Sequence, residues 1–387
     1  MRPEEFQPNA PGRVVRSTFG HWTFLPDPLP PELAFDMKLV RALADADRAL
    51  GELAGAGRML PNPLLLIRPF IRREAVLSSR IEGTITQLDQ LFLFEAEPEH
   101  LNHPSDAAEV RNYVFALEHG LSAIKSGSPF SLQMIREIHR ILLDDVRGGD
   151  KQPGLIRTRD VRIGGNDAEE SRFVPPTHTQ LPALLVDFVQ FLRSDRSFPA
   201  VAELALMHYQ FESIHPFNDG NGRVGRLLIS LMLCERGILP EPLLYLSAFF
   251  EKNRQEYYDR LLEVSRAADW SGWLRFFARG VAEQATDATK RTRLLLDLRE
   301  TYRREAGEQI RSVAALTLVD ELFSSPYITV NHAAKVMDLN FSSASRTIEK
   351  FAAAGLLREV TGQLRNRVFC ADRIFRMLEQ PLDAETP

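Results

Sequence analysis

Apolar residues recur at helical spacing through most of the 387-residue chain. From Pro31 to about Gly55, Leu33, Phe35, Met37, Val40, Leu43, Leu50 and Leu53 repeat every few positions and predict a helix, which Pro61 and Pro63 interrupt. A second helix is predicted from Phe70 to about Ser79. Residues 106–146 read as two helices broken at Ser126-Gly127-Ser128-Pro129. Thr179 to Leu192 and Ala200 to Ile214 are predicted helical. Arg223 to Gly237 predicts an apolar-faced helix that Gly237 ends. Helical spacing continues over 254–310, where the Arg-rich stretch 290–309 is expected to bridge to a last domain.

The period changes in only a few places. Val161-Arg162-Ile163-Gly164-Gly165 and Arg172-Phe173-Val174-Pro175-Pro176 predict short strands joined by a polar loop, hence a β-hairpin. After Ser312 come a helix (Val313–Phe323), a helix (Asn331–Met337), a turn, a helix (Phe341–Ala354) and two strands around Thr361-Gly362-Gln363. That order is the one a winged helix-turn-helix requires. The first 31 residues hold seven prolines and predict an extended arm laid over a neighbouring surface. No repeat of 20–50 residues is present. The expected fold is mainly α, a helical core with a hairpin plus a small C-terminal α+β domain.

Composition narrows this little. Hydrophobic residues at 44% and charged residues at 26% are ordinary for a soluble globular protein. The longest apolar stretch, Leu227 to Cys234, is far short of the ~18 residues a membrane span needs. No apolar segment follows Met1, and Cys234 and Cys370 alone build no disulfide framework, so a cytoplasmic location is expected. The net charge is −5, all of it within residues 1–310, whereas residues 312–376 carry +2. Bulk charge therefore does not announce a nucleic-acid binder.

The chemistry concentrates in His215-Pro216-Phe217-Asn218-Asp219-Gly220-Asn221-Gly222-Arg223-Val224-Gly225-Arg226. A helix ends near Ile214, a tight loop follows and a new helix starts around Asn221. Gly220 and Gly222 permit a close backbone approach to a ligand, and Asn221 can cap the new helix. The free N–H groups there, with the helix dipole, favour an anion. Arg223 and Arg226, three apart, are placed to reach that anion with planar forks. Asp219 is a hard oxygen ligand suited to Mg²⁺ bridging phosphates, and His215 suits a general base. A lone His before Pro is an ordinary structural residue. Nine specified positions, at usage near ~5% each, match by chance in on the order of one chain in a billion.

The stretch resembles the motif of the Fic family, His-Pro-Phe-x-[Asp/Glu]-Gly-Asn-Gly-Arg-x-x-Arg, at every specified position. The resemblance implies a helical enzyme that transfers AMP from ATP to a Ser, Thr or Tyr hydroxyl of a target protein, and of itself. It implies His215 as base and Asp219 as Mg²⁺ ligand. Gly220, Asn221, Gly222, Arg223, Val224 and Gly225 would lie along the nucleotide, with Arg226 on the γ-phosphate. Ser78-Ser79-Arg80-Ile81-Glu82-Gly83 resembles the family's inhibitory helix, with Ser78 and Glu82 sharing a face. Glu82 would then pair with Arg226 and force ATP into a non-productive pose; in some relatives the same Glu supports AMP removal. Ile163, Gly164, Phe173 and Val174 resemble the family's flap, which would hold an extended target segment by strand addition. Asn253 to Tyr258 resembles the stretch that closes the adenine pocket, with Tyr258 facing the nucleotide.

The expected organisation is an N-terminal arm and inhibitory helix (1–105), a catalytic core (106–285), a helical connector (286–311), a winged helix (312–376) and a tail (377–387). In the winged helix, Ser343, Arg346 and Lys350 could dock in a DNA groove and Arg365 and Arg367 reach phosphates. Such modules also serve protein docking. A homodimer is expected because many relatives form one. Two alternatives stand beside AMP transfer. One is a Doc-like phosphotransferase, against which Gly222 argues, because those relatives carry Lys there. The other is a DNA-binding regulator whose Fic domain only senses nucleotide.

Overall fold

A computed structural model describes residues 1–18, 20–59, 64–98, 104–146, 149–165, 170–194, 198–310, 312–363 and 365–380. The predicted break at Pro61 and Pro63, part of the loop between the predicted hairpin strands and the end of the predicted tail lie outside them.

Strands β1 (Gly12–Arg16) and β2 (Trp22–Pro26) form an antiparallel pair within the Pro-rich arm, a hairpin that its prolines conceal in the sequence. Helix α1 (Met37–Arg58) is capped by Asp36 and buries Leu39, Leu43, Ala46, Leu50 and Leu53 against the long helix described below. Helix α2 (Leu64–Ile81) is longer than predicted, and α3 (Leu88–Ala96) lies outside the predicted helices. Helices α4 (Pro104–Lys125) and α5 (Leu132–Leu142) flank the predicted Ser-Gly-Ser-Pro break, followed by α6 (Leu181–Arg193). Helices α7 (Ala200–Ile214) and α8 (Asn221–Glu235) lie at the centre, and α8 is buried on nearly every face from Arg223 to Leu233. The predicted 254–310 helix is interrupted: after α9 (Ser247–Lys252), α10 (Arg254–Ala267) and α11 (Trp270–Gln309) meet at left-handed Ala268.

Helix α11 runs 40 residues from beside α7 to the C-terminal unit. Its Tyr302 hydroxyl donates to the Leu356 carbonyl, and its Arg291 guanidinium donates to the Met377 and Gln380 carbonyls. The unit comprises α12 (Val313–Ser324), β3 (Tyr327–Thr329), α13 (Val330–Met337), α14 (Phe341–Ala353), β4 (Arg358–Glu359), β5 (Val368–Cys370) and α15 (Asp372–Glu379). Its antiparallel sheet has the order β3-β5-β4, and its elements follow the order expected for a winged helix-turn-helix. One contiguous apolar core runs from Leu39 to Leu378, so the unit is packed on α2 and α11 rather than tethered. The fold is mainly α. Among the described residues no helix is long and apolar enough to cross a membrane.

Candidate active site

The loop between α7 and α8 is built from its own residues and from two partners distant in sequence. Pro216 cannot continue α7, and His215 ends it in the left-handed region at φ 50°. The Asn221 side chain clasps the loop: its Oδ1 accepts from the Phe217 N–H and its Nδ2 donates to the Phe217 carbonyl, both at 2.9 Å. Phe217 is fully buried and stacks on the His139 imidazole of α5 at 3.7 Å. The Gly154 N–H donates to His139 Nδ1, so the ring proton lies on Nε2, which donates to the Asp219 carbonyl at 3.0 Å. Burial pushes His139 down to about 4, which keeps this ring neutral and the arrangement fixed. Helix α8 then starts after left-handed Gly220 with no side chain capping its first turn, an end suited to an anion.

His215 is the predicted base. Its Nδ1 lies 3.3 Å from the Glu212 carbonyl, which can only accept, so Nδ1 carries the proton and Nε2 keeps its lone pair. Burial, and then the Arg157 charge, push the imidazole down to about 4. His215 lines a cavity of about 450 Å³ with Glu82, Gly222, Arg226, Tyr258, Ile163 and Phe173.

Arg223 and Arg226 enter different ion pairs, not one shared site. The Arg226 guanidinium donates from Nη2 to Glu82 Oε1 (2.7 Å) and to the Ser78 carbonyl (3.0 Å), and from Nε to Ser78 Oγ (2.9 Å). Glu82 follows the last residue of α2 in a turn that left-handed Gly83 completes, the Gly83 N–H donating to the Arg80 carbonyl. Burial alone would push the Glu82 carboxyl up; the Arg226 charge and hydrogen bond outweigh it and hold the group below its ordinary value. Glu82 Oε1 sits so close to Gly222 that a Cβ there would overlap it. Arg223 instead pairs with Glu109 of α4 and lies 3.3 Å from Asp219 Oδ1. Nothing in the sequence marks Glu109, 114 positions from its partner.

Other predicted residues fall as follows. Val224 is wholly buried in the apolar core and Gly225 packs against Glu212, Phe211 and His208 of α7, so neither sends a side chain to a ligand. Tyr257 turns to the core, its ring on Phe250 and its hydroxyl 2.8 Å from His208 Nε2; Tyr258 is half-buried with Arg254 over its ring. The predicted flap hairpin reduces to one antiparallel pair, Ile163 with Phe173, bonded both ways at 3.0 and 3.2 Å. Gly164 takes φ 73° beside it, while Val174 is buried and accepts from the Phe24 N–H of β2. Arg346, Lys350 and Arg365 lie in the winged unit, the first two on α14; Ser343 is half-buried and Arg367 lies 3.7 Å from Glu349. Arg157 and Glu212, like Glu109 and His139, carry no signal in the sequence. Arg157 donates to carbonyls around the loop, and Glu212 sends a buried, unpartnered Oε1 beside Gly225, burial pushing that carboxyl up to about 7.

Asp219 is the one predicted metal ligand. Its carboxylate is 41% exposed and is oriented by Arg223 and the Gly220 N–H. Among the described residues no group of three His, Cys, Asp or Glu could hold an ion by itself. A single open carboxylate beside an anion site fits Mg²⁺, which binds through one or two carboxylates plus substrate phosphates.

A family model described as Fic/DOC family N-terminal matches residues 40–122, and one described as Fic/DOC family matches residues 129–233. The protein adenylyltransferase Fic of Aedes aegypti is 32% identical over 195 residues, 49% of this chain and 33% of that protein. A probable protein adenylyltransferase of Aquifex aeolicus is 38% identical over 120 residues, 31% of this chain and 33% of that protein. The chain thus spans about a third of the length of the curated relatives it matches. A crystal structure of a Fic family protein from Desulfovibrio desulfuricans G20 superposes with a TM-score of 0.56 at 17% identity, covering 89% of this chain and 98% of that one, a likeness of fold.

Proposed function

The chain belongs to the Fic/DOC family, and from that premise we propose that it is a protein adenylyltransferase held inactive by Glu82. The observation that carries the reading is the juxtaposition, in one cavity, of His215 with a free Nε2, the uncapped start of α8, and Arg226 occupied by Glu82. The target's hydroxyl would give its proton to His215 Nε2 as its oxygen forms a bond to the α-phosphorus of ATP. The bond from that phosphorus to the bridging oxygen breaks, and pyrophosphate leaves. The first-turn N–H groups of α8 would bind the charge that develops on the phosphates, and Arg226, once released, the γ-phosphate. Asp219 would hold Mg²⁺, which when bound supplies charge neutralisation at the phosphates. Arg223, taken up by Glu109, would orient Asp219. Tyr258 and Ile163 would bracket the adenine, and the open side of the Ile163–Phe173 pair would receive an extended target segment.

The exposed Arg346 and Lys350 of α14, with Arg365 in the wing, support docking of duplex DNA. AMP transfer is tested with ATP labelled at the α- or γ-phosphate, using the native chain, Glu82→Gly and His215→Ala. Protein-bound α-label that Glu82→Gly increases and His215→Ala removes is expected. Label from the γ-phosphate would establish the Doc-like reaction instead.

A further inference from the structure

Arg157 lies in the segment that leads from α5 into the Ile163–Phe173 pair and is 2% exposed. A cation buried to this degree ordinarily has a carboxylate in contact. Here Asp160 is 4.0 Å away and is itself held by the N–H and Nδ1 of His178, at 2.9 and 3.0 Å. The guanidinium is used on backbone carbonyls instead. Nε donates to the carbonyl of His215 (2.8 Å), Nη2 to Pro176 (2.6 Å) and Ile214 (3.4 Å), and Nη1 to Arg159 (3.0 Å). Its main-chain N–H donates to the Pro216 carbonyl at 3.0 Å. One side chain thus gathers the end of α7, the His215–Pro216 peptide and the end of the flap.

The His215 carbonyl is a meaningful acceptor because His215 adopts φ 50°, a conformation that non-glycine residues rarely hold without support. The His215 N–H remains with the Phe211 carbonyl of α7, so the residue is held from both ends of its backbone. We propose that Arg157 is a positioning residue for His215, clamping the left-handed backbone that aims the imidazole into the cavity and tying that aim to the seating of the flap. The inference rests on the reading of His215 as the base. The arrangement has an electrostatic consequence as well. The groups that face the imidazole are Arg157, the Glu212 carbonyl of α7, Glu82 after α2 and Asp219 of the loop. Among them Arg157 is the one that favours the neutral ring, and when Glu82 withdraws a carboxylate that favours the charged ring is removed too.

The test uses the full chain carrying Glu82→Gly, with Arg157→Gln and Arg157→Lys added separately. Three readouts are taken: transfer of α-label from ATP to the chain itself, ATP affinity by calorimetry, and the titration of His215 by NMR of histidine-labelled protein. For Arg157→Gln the expected result is a rate roughly 100-fold lower with ATP affinity unchanged within about threefold, since a misplacement near 1 Å at the reacting centre costs about that much. The His215 titration should move up by roughly one pH unit with the charge gone. Arg157→Lys keeps the charge but cannot fork across the carbonyls, so its titration stays low while its rate still falls. A folded Arg157→Gln with native titration and native rate overturns the proposal, as does a loss of ATP affinity equal to the loss of rate. Should Arg157→Gln not fold, Arg157→Lys decides on the same terms: a native rate overturns the proposal. The NMR readout needs no transfer. An inactive Glu82→Gly parent therefore counts against the adenylyltransferase reading alone, and the titration then decides the role of Arg157: an unmoved His215 in Arg157→Gln overturns it.

Discussion

Replacing Glu82 by glycine is the most direct probe of the site, and the structure sets its size. In the closed arrangement Glu82 Oε1 occupies the space against Gly222 and Arg226 where the far end of a triphosphate would lie. On the proposed function, ATP would bind productively only when that carboxylate withdraws, which would break a charge-assisted hydrogen bond of 2.7 Å to a guanidinium 2% exposed. Such a bond is worth roughly 1.5–3 kcal/mol, and the one-third exposure of Glu82 is already allowed for by staying within this range. An opening cost of ~1.5–3 kcal/mol leaves roughly one molecule in 12 to 150 competent, because 1.4 kcal/mol is a factor of ten. Glu82→Gly should therefore raise the initial rate of α-label incorporation at fixed, sub-saturating ATP by roughly 12- to 150-fold. Arg226 keeps its two bonds to Ser78, so the guanidinium stays aimed at the vacated space. Glu82→Gln, which keeps shape and loses charge, should fall between the two. Equal rates for all three proteins, with ATP binding demonstrated in each, would refute the idea that this contact controls the site.

Other expectations follow from the same geometry. Tyr258→Ala should weaken ATP binding by about tenfold, the value of one lost aromatic stack of ~1–1.5 kcal/mol, with little change in the rate at saturation; an unchanged dissociation constant would place the adenine elsewhere. Glu74, on the α2 face that also carries Ser78, is 2% exposed, accepts from Ser247 and Tyr113, and is pushed up by burial to about 7. A raised carboxyl favours the folded state fully below its unfolded pKa of 4.5 and loses that advantage as pH rises through 7. The stability difference between the native chain and Glu74→Gln should therefore shrink by up to about 3 kcal/mol from pH 4.5 to 7, read by denaturant titration. A pH-independent difference would sink the assignment. Alanine at Arg346 and Lys350 together should weaken duplex DNA binding and lower its salt slope by about two. If the native chain retains no duplex at low salt, the winged unit serves another purpose.

Glu74, Ser78 and Glu82 show how a helix can carry information that its apolar pattern does not display. Spaced by four residues, Glu74 and Ser78 of α2 and Glu82 in the turn after it form one polar stripe that faces α4, α8 and α9. Ser247 and Tyr113 satisfy Glu74, while Arg226 satisfies Ser78 and Glu82. A stripe of this kind resembles a solvated face when only the chain is in view. Its burial makes sense once Arg226, 144 positions from Glu82, is placed opposite it.

What the chain alone makes legible is whatever depends on neighbours in sequence. The spacing of Met37, Val40, Leu43, Leu50 and Leu53 marks α1, Pro and Gly mark the ends of α7 and α8, and the run from His215 to Arg226 holds the candidate chemistry because its groups are contiguous. The shared face of Ser78 and Glu82 is legible for the same reason, the two being one helical turn apart. The β1–β2 hairpin is not, since its prolines obscure strands whose stability comes from Phe24 packing on Phe6 and Phe173. The flap is smaller than its pattern suggests: strand-like residues at 161–165 and 172–176 form a single bonded pair. The division of labour between the two arginines also lies out of reach. Arg223 and Arg226 are equivalent on a helical wheel, and only the placement of Glu109 on one side and Ser78 with Glu82 on the other separates them. His139 and Arg157, which bind the loop between α7 and α8, act on backbone carbonyls. Any residue offers a carbonyl, so the chain carries no sign of which one will be held. Local order thus singles out the candidate groups; tertiary packing decides which of them is left open, which is paired, and what holds the His215 backbone.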